Sequence, residues 1–99
     1  MKKLKGSDRK YLRSLAHDLK PTVHVGKGGI TEGLIASLNE VLDQHELVKV
    51  RFLEKEEKKA LADQITAAAK CEQVGMIGHI GIFFREQEDP EKRKIQFPT

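Results

Sequence analysis

The hydrophobic positions of the chain alternate between helical and strand-like spacing. The first apolar stripe has the i, i+3, i+4, i+7 spacing of one face of an α-helix; its residues are Leu12, Leu15, Ala16 and Leu19. Ser7 is the predicted N-cap of this helix, and Pro21 is its predicted end. Residues 22–25 then alternate between polar and apolar. This alternation predicts a short strand with Thr22 and His24 facing away from the core.

A second helical stripe follows Thr31, which is the predicted N-cap of the second helix. The residues of this stripe are Leu34, Ile35, Leu38, Val41 and Leu42. Residues 47–53 alternate again and predict a second strand, with Lys49 and Arg51 on its polar face. If the first two strands are neighbours, this polar face also includes His24.

Three further segments complete the predicted order of elements. Residues 60–70 have helical spacing, and residues 73–77 and 80–85 flank a two-residue turn that is typical of a short hairpin. Residues 86–99 are a polar connector with a possible edge strand at 94–97. The order α-β-α-β-α-β-β predicts an α/β fold with two layers. In this fold a mixed four-stranded sheet has its helices packed on one face, and the first strands pair in parallel.

Length and composition predict one domain that spans residues 1–99, with a basic tail at residues 1–6. No apolar run approaches the roughly 20 residues of a membrane helix, and no signal-peptide segment follows Met1. We therefore expect a cytoplasmic protein without a membrane partner. The single cysteine, Cys71, cannot form a disulfide within one chain, and we expect it to be a small buried residue near a helix end.

Positive charge is concentrated in the first third of the chain. Residues 1–30 have a net charge of +6, residues 31–65 have −3, and the whole chain has +3. On the first predicted helix, Lys10, Arg13 and His17 lie opposite the apolar stripe, without an acidic residue among them. Such a surface is typical of proteins that bind polyanions, most often nucleic acid, although a charged helix face can also be simple solvent exposure.

The segment between the first strand and the second helix contains the loop Gly26-Lys27-Gly28-Gly29. Glycines leave backbone amides uncovered, and a helix N-terminus attracts anions, so this loop can hold a phosphate. Lys27 adds a mobile positive charge at the tip. Glu32 can satisfy the same amides, so a phosphate would have to bind on the loop side. The alternative is a tight strand-to-helix turn in which the glycines serve geometry alone.

Catalytic and cofactor motifs are missing from the sequence. The glycine loop has neither the six-residue dinucleotide spacing nor the Gly-Lys-Ser/Thr ending of a P-loop. The four histidines are scattered without metal-ligand spacing, and no nucleophile or carboxylate accompanies His24. We therefore expect no enzymatic activity, no cofactor, no metal and no small-molecule substrate.

Four segments of the sequence closely resemble the CRM domain family, and in particular its stand-alone bacterial YhbY-like members. They are LRSLAHDLKP at 12–21, VGKGGITE at 25–32, HELVKV at 45–50 and VGMIG at 74–78. The resemblance implies a fold similar to the C-terminal domain of translation initiation factor three. It also implies association with precursors of the large ribosomal subunit and contact of a GxxG loop with RNA. In this chain the GxxG positions are Gly26, Lys27, Gly28 and Gly29.

The resulting hypothesis is an RNA-binding protein, expected to be monomeric, whose loop and basic helix contact the RNA backbone. The predicted contact residues are Gly26, Lys27, Gly28, Gly29, Lys10, Arg13, His17, Lys20, Thr31 and His24, with Lys49 and Arg51 as a weaker secondary surface. One alternative is a protein-interaction adaptor that uses the acidic edge of Glu40, Asp43 and Glu46 or the 94–97 strand. Another is a small nucleotide-binding protein.

Overall fold

The computed structural model describes residues 3–53 and 57–98. Within these ranges the chain forms three α-helices, four β-strands and one 3-10 helix. They are α1 (Gly6–Ala16), β1 (Val23–Val25), α2 (Glu32–His45), β2 (Leu47–Phe52), α3 (Lys58–Ala69), β3 (Glu72–Ile77), β4 (Ile80–Phe84) and the 3-10 helix Pro90–Lys92. The predicted order of helices and strands is confirmed.

The four strands form one mixed sheet in the order β1-β2-β4-β3. Strands β1 and β2 are parallel, which is possible because helix α2 crosses over between them. The β2–β4 and β3–β4 pairs are antiparallel. Gly78, in the turn between β3 and β4, has a φ of +59°, a conformation that glycine adopts without strain. The predicted mixed four-stranded sheet with a parallel first pair is confirmed.

Helices α2 and α3 pack on the first face of the sheet, where most of the core lies. The buried residues of this face are Val23, Val25, Leu38, Leu42, Val48, Val50, Phe52, Ala62, Ile65, Ala69, Cys71 and Phe83. Gly81 allows two of these rings to approach the sheet, because a Cβ at this position would lie 2.7 Å from Cε2 of Phe83 and 3.0 Å from Cε2 of Phe52.

Helix α1 packs on the second face, so the prediction that all helices lie on one face is wrong. The buried residues of this second core are Leu4, Leu12, Ala16, Leu47, Val74, Ile82 and Phe84, with Ile95 and Phe97 packed against them. Strand β4 explains the second core, because Ile82 and Phe84 face α1 while Phe83 faces the opposite side. A strand that is apolar on both faces requires cover on both faces.

Both ends of the chain differ from the sequence predictions. Lys5, not Ser7, is the N-cap of α1, and its amide donates to Oδ2 of Asp8 at 2.9 Å. Leu4 is buried in the second core, so the predicted basic tail of residues 1–6 ends earlier than expected. Residues 94–97 form no strand. Instead, the ring of Phe97 packs edge-on against Phe84, with 5.7 Å between the ring centroids.

Glu46 attaches the C-terminal segment to the domain. It ends α2 in the left-handed conformation and is only 1% exposed. Its carboxylate accepts hydrogen bonds from the backbone amides of Gln87 at 2.8 Å, Lys94 at 2.6 Å and Ile95 at 3.0 Å. Oδ1 of Asp43 pairs with the Arg85 guanidinium at 2.9 Å. The acidic edge of the adaptor alternative therefore does not include Glu46, whose carboxylate is buried and fully engaged.

Cys71 lies directly after α3 and is buried, as predicted. Its thiol is 3.9 Å from the carbonyl oxygen of Ile65. Burial raises the pKa of the Cys71 thiol from its ordinary value of 9.0 to about 11, although the nearby Arg85 opposes this shift. The residue is therefore a neutral apolar component of the core at physiological pH.

Candidate nucleic-acid interface

The glycine loop forms a closed turn at the end of strand β1. The amide of Gly29 donates to the carbonyl oxygen of Gly26 at 3.0 Å, and Gly29 has a φ of +68°. Gly28 occupies open space, since a Cβ at this position would meet only Cγ2 of Thr31, at 4.0 Å. Lys27 is exposed at the tip, and its ammonium contacts none of the described residues. Positive φ thus requires glycine at position 29, whereas the fold imposes no such requirement at position 28.

The start of helix α2 lies immediately after this turn. Thr31 is its N-cap, as predicted, and Oγ1 of Thr31 accepts a hydrogen bond from the amide of Leu34 at 3.1 Å. The amides of Glu32 and Gly33 donate to no acceptor in the described ranges, and neither do those of Lys27 and Gly28. The carboxylate of Glu32 is exposed and does not occupy these amides. The turn and the helix end therefore offer free donors to an anion.

An open cleft of about 470 Å³ runs along this turn, between strand β1 and the first turns of α2. Its lining includes His24 from the strand and Thr22 just before it, the loop glycines Gly26, Gly28 and Gly29, and Thr31, Gly33 and Ser37 from the start of the helix. The structure thus brings the predicted site residues His24 and Thr31 to the same concave surface as the glycine loop.

Arg51 adjoins this cleft on strand β2, where it is the register partner of His24. Both side chains are exposed, and neither pairs with another group among the described residues. Lys49 differs, because its ammonium donates to the carbonyl oxygens of His17 at 3.3 Å and Leu19 at 2.9 Å. Lys49 therefore holds the segment after α1 against the sheet, while Arg51 remains available to a ligand.

The predicted basic face of α1 also divides into two kinds of residue. Arg13 donates to the carbonyl oxygen of Val74 at 3.0 Å and lies across Gly75, so it anchors α1 to strand β3. Lys10 and His17 are exposed, without side-chain partners in the described part of the chain. Lys20 lies away from the cleft, in an apolar groove of about 380 Å³ beside α2.

The comparisons with known proteins agree with this architecture. Residues 4–85 match the model of the CRS1 / YhbY (CRM) domain. This chain belongs to the CRM domain family. A Haemophilus influenzae protein named as an RNA-binding protein is 37% identical over 100 residues, covering 99% of this chain and 98% of the relative. A Bacillus subtilis protein named as a probable RNA-binding protein is 33% identical over 97 residues, covering 96% and 99% respectively.

A solved structure is similar to this CRM domain along most of its length. It is the solution structure of a hypothetical Staphylococcus aureus protein that is described as a candidate RNA-binding protein. The TM-score is 0.78 and the sequence identity is 35%, with 95% of this chain and 100% of that chain covered. The mixed α/β architecture is therefore shared with a protein of known structure.

One residue beside the loop of this CRM domain was missed at the sequence level. Leu53 is 57% exposed, and its Cδ1 would lie 3.6 Å from a Cβ placed on Gly26. A signal was present, because position 53 continues the alternation of Lys49 and Arg51 onto the polar face, yet it is apolar. Leu53 is therefore an exposed apolar side chain next to the glycine loop.

The described part of this CRM domain contains neither a candidate metal site nor a helix that could span a membrane. Among residues 3–53 and 57–98, no group of three histidine, cysteine or acidic side chains is placed to hold a metal ion. No helix in the same ranges is long and apolar enough to cross a membrane.

Proposed function

We propose that this CRM domain binds RNA and holds a backbone phosphate at the Gly26–Gly29 turn. One observation supports this proposal most directly. Gly28 of the turn and Gly33 of the α2 N-terminus, whose amides have no acceptor in the described ranges, line the same cleft, and Lys27 is unpaired among the described residues. Backbone amides, a helix dipole and a mobile ammonium together form a site for a phosphate.

The distribution of charge supports RNA as the polyanion. His24 and Arg51 extend the cationic surface from the cleft across the sheet. Lys10 and His17 on α1 would contact neighbouring phosphates, and Lys20 would reach a more distant one. Arg13 and Lys49 contribute to the positive potential, although both also hold α1 in place. The names of the relatives from Haemophilus influenzae and Bacillus subtilis also indicate RNA.

The loop can be tested with a matched pair of substitutions. A Cβ fits at Gly28, so both Gly28→Ala and Gly28→Asp leave the fold intact. Gly28→Ala keeps the amides accessible, whereas Gly28→Asp places a carboxylate where the phosphate would bind. We expect Gly28→Asp to weaken RNA binding at least tenfold, on the order of one charged hydrogen bond, and Gly28→Ala to weaken it far less. Fluorescence anisotropy with a labelled RNA measures the affinity, and thermal unfolding checks the fold.

A charge reversal at Lys27 tests the same site through its salt dependence. For single-stranded RNA, each lost phosphate contact makes the slope of log K against log salt concentration shallower by about 0.7. Lys27→Glu should show this change, while Lys92→Glu in the C-terminal segment provides the same charge change away from the loop. Equal effects of the two substitutions would contradict a specific role for Lys27. A collapse of thermal stability in Gly28→Asp would favour a purely structural turn.

The ligand that we propose in cells is ribosomal RNA within precursors of the large subunit. The protein would act there as a cytoplasmic, monomeric, non-enzymatic assembly protein. Membership of the CRM family supports this assignment. Crosslinking in cells, followed by sequencing of the bound RNA, tests it directly. Recovery of mainly messenger or transfer RNA would overturn this cellular assignment and leave the phosphate site itself untouched.

A further inference from the structure

Beside the glycine loop, one row of side chains on the second face of the sheet has no helix packed over it within residues 3–53 and 57–98; three of its four members are exposed and Ile80 is half-buried. The row crosses all four strands, because His24 pairs with Arg51, Arg51 with Ile80, and Ile80 with Ile77. Three inter-strand spacings make this row about 14 Å long. Ile77 is 69% exposed, the largest exposure among the large apolar side chains of the described residues. We call these four residues the open row.

Helix α1 stops short of the open row. It covers the next row on the same face of the sheet. In that row Lys49 pairs with Ile82, and Ile82 pairs with Gly75. In that row the Lys49 ammonium is bound to carbonyls after α1, and Arg13 lies over Gly75. The open row is two residues further along β2, on the side of the turn, and Leu53 connects it to the loop beside Gly26. The open row is therefore continuous with the proposed phosphate site.

We infer that the open row binds the bases of an unpaired RNA segment whose backbone is held at the glycine loop. This inference rests on the proposed function. The polar half of the row favours a polyanion, because the Arg51 guanidinium is the register partner of His24, which lines the phosphate cleft. The apolar half, Ile77 and Ile80, offers a flat surface for nucleobases. In a duplex the bases are stacked inside the helix, so only single-stranded RNA can place them on this surface.

Three RNA probes of equal length separate base contact from backbone contact. They are a single-stranded oligouridylate, the same oligomer with abasic ribose-phosphates, and a blunt RNA duplex. Ile77→Ser should weaken binding of the oligouridylate by about fivefold to tenfold, since tens of Å² of apolar contact are lost. Binding of the abasic oligomer and of the duplex should not change. Ile77→Thr keeps the β-branched side chain that suits a strand and should show a similar but smaller loss.

The controls separate this inference from the proposed function. Leu15→Ser changes another exposed apolar residue, on α1, and should leave all three affinities unchanged. Gly28→Asp should weaken binding of all three probes, because each retains its phosphates. If Gly28→Asp has this effect but both Ile77 variants bind every probe like the wild type, the open row is not an RNA site. The same conclusion follows if Ile77→Ser weakens all probes equally, or if it only abolishes self-association in sedimentation velocity.

Discussion

The two faces of the sheet are covered by helices to different extents. On the first face, α2 and α3 bury side chains from β1, β2 and β4, including Val25, Val50 and Phe83. On the second face, α1 and the C-terminal segment cover only part of the sheet, and His24, Arg51 and Ile77 of the open row are exposed. Strand β2 contributes to both faces, since its residues alternate between them. The first face thus serves stability, while the second combines a small core with the surface that we propose for RNA.

The contrast is sharpest between Lys49 and Arg51, two cations on the same face of the same strand. Lys49 is half-buried and bound to two carbonyl oxygens, while Arg51 is exposed and unpaired among the described residues. An alternating charge pattern therefore does not identify a solvent-exposed face by itself. The position of the covering helix decides which cation contributes to stability and which is available for binding.

The largest expected effect is on the first face. Phe83→Ala removes a fully buried ring from the larger core and should lower the free energy of unfolding by about 3–5 kcal/mol. Phe97→Ala removes a half-buried ring from the second face and should lower the free energy of unfolding by clearly less. Urea denaturation measures both values. Equal losses would contradict the view that the first face provides most of the stability.

Glu46→Gln, at the border of the second face, should cause a smaller loss of stability. One of the bonded carboxylate oxygens becomes an NH₂ group that cannot accept from a backbone amide, so we expect a loss of about 2–3 kcal/mol. Trypsin should then cleave faster after Arg93 and Lys94. Glu40→Gln, at an exposed position of α2, is the matched control. Unchanged cleavage in Glu46→Gln would show that the C-terminal segment is held by its apolar contacts alone.

Lys49→Met and Arg51→Gln should produce opposite results. Lys49→Met removes two hydrogen bonds to carbonyl oxygens after α1 and should lower stability by about 1 kcal/mol. Arg51→Gln should leave stability within about 0.5 kcal/mol of the wild type, because the side chain is exposed and unpaired in the described ranges. RNA affinity should fall more for Arg51→Gln than for Lys49→Met. The reverse order in the binding assay would remove Arg51 from the proposed interface.

The last prediction concerns Cys71, whose effect on stability is absent at neutral pH. With the pKa of its thiol raised to about 11 by burial, only about one thiol in a thousand is ionised at pH 8. Thiol reagents should therefore label the folded protein far more slowly than the unfolded one. Stability should also decrease as the pH rises from 9.0 toward 11, because the unfolded thiol ionises first. Fast labelling of the folded protein would show that this part of the core opens readily.

Local patterns predicted the features that depend on neighbouring residues. The order of elements, the Thr31 cap and the shared face of His24 and Arg51 all follow from spacing within one or two segments. The placement of α1 did not follow, because an amphipathic helix can cover either face of a sheet. The role of Glu46 also depends on distant partners, since its three backbone donors lie 41, 48 and 49 residues later in the chain.

The hydrogen bonds that Glu46 accepts from the C-terminal segment also affect the order in which the two faces fold during protein synthesis. The first core draws on residues only up to Phe83, so all of its residues emerge from the ribosome before the C-terminal segment does. The buried carboxylate of Glu46 gains its last two amide partners only when Lys94 and Ile95 emerge. Until then the Phe84 ring lacks its cover from Phe97. The second face of this domain is therefore completed after the first.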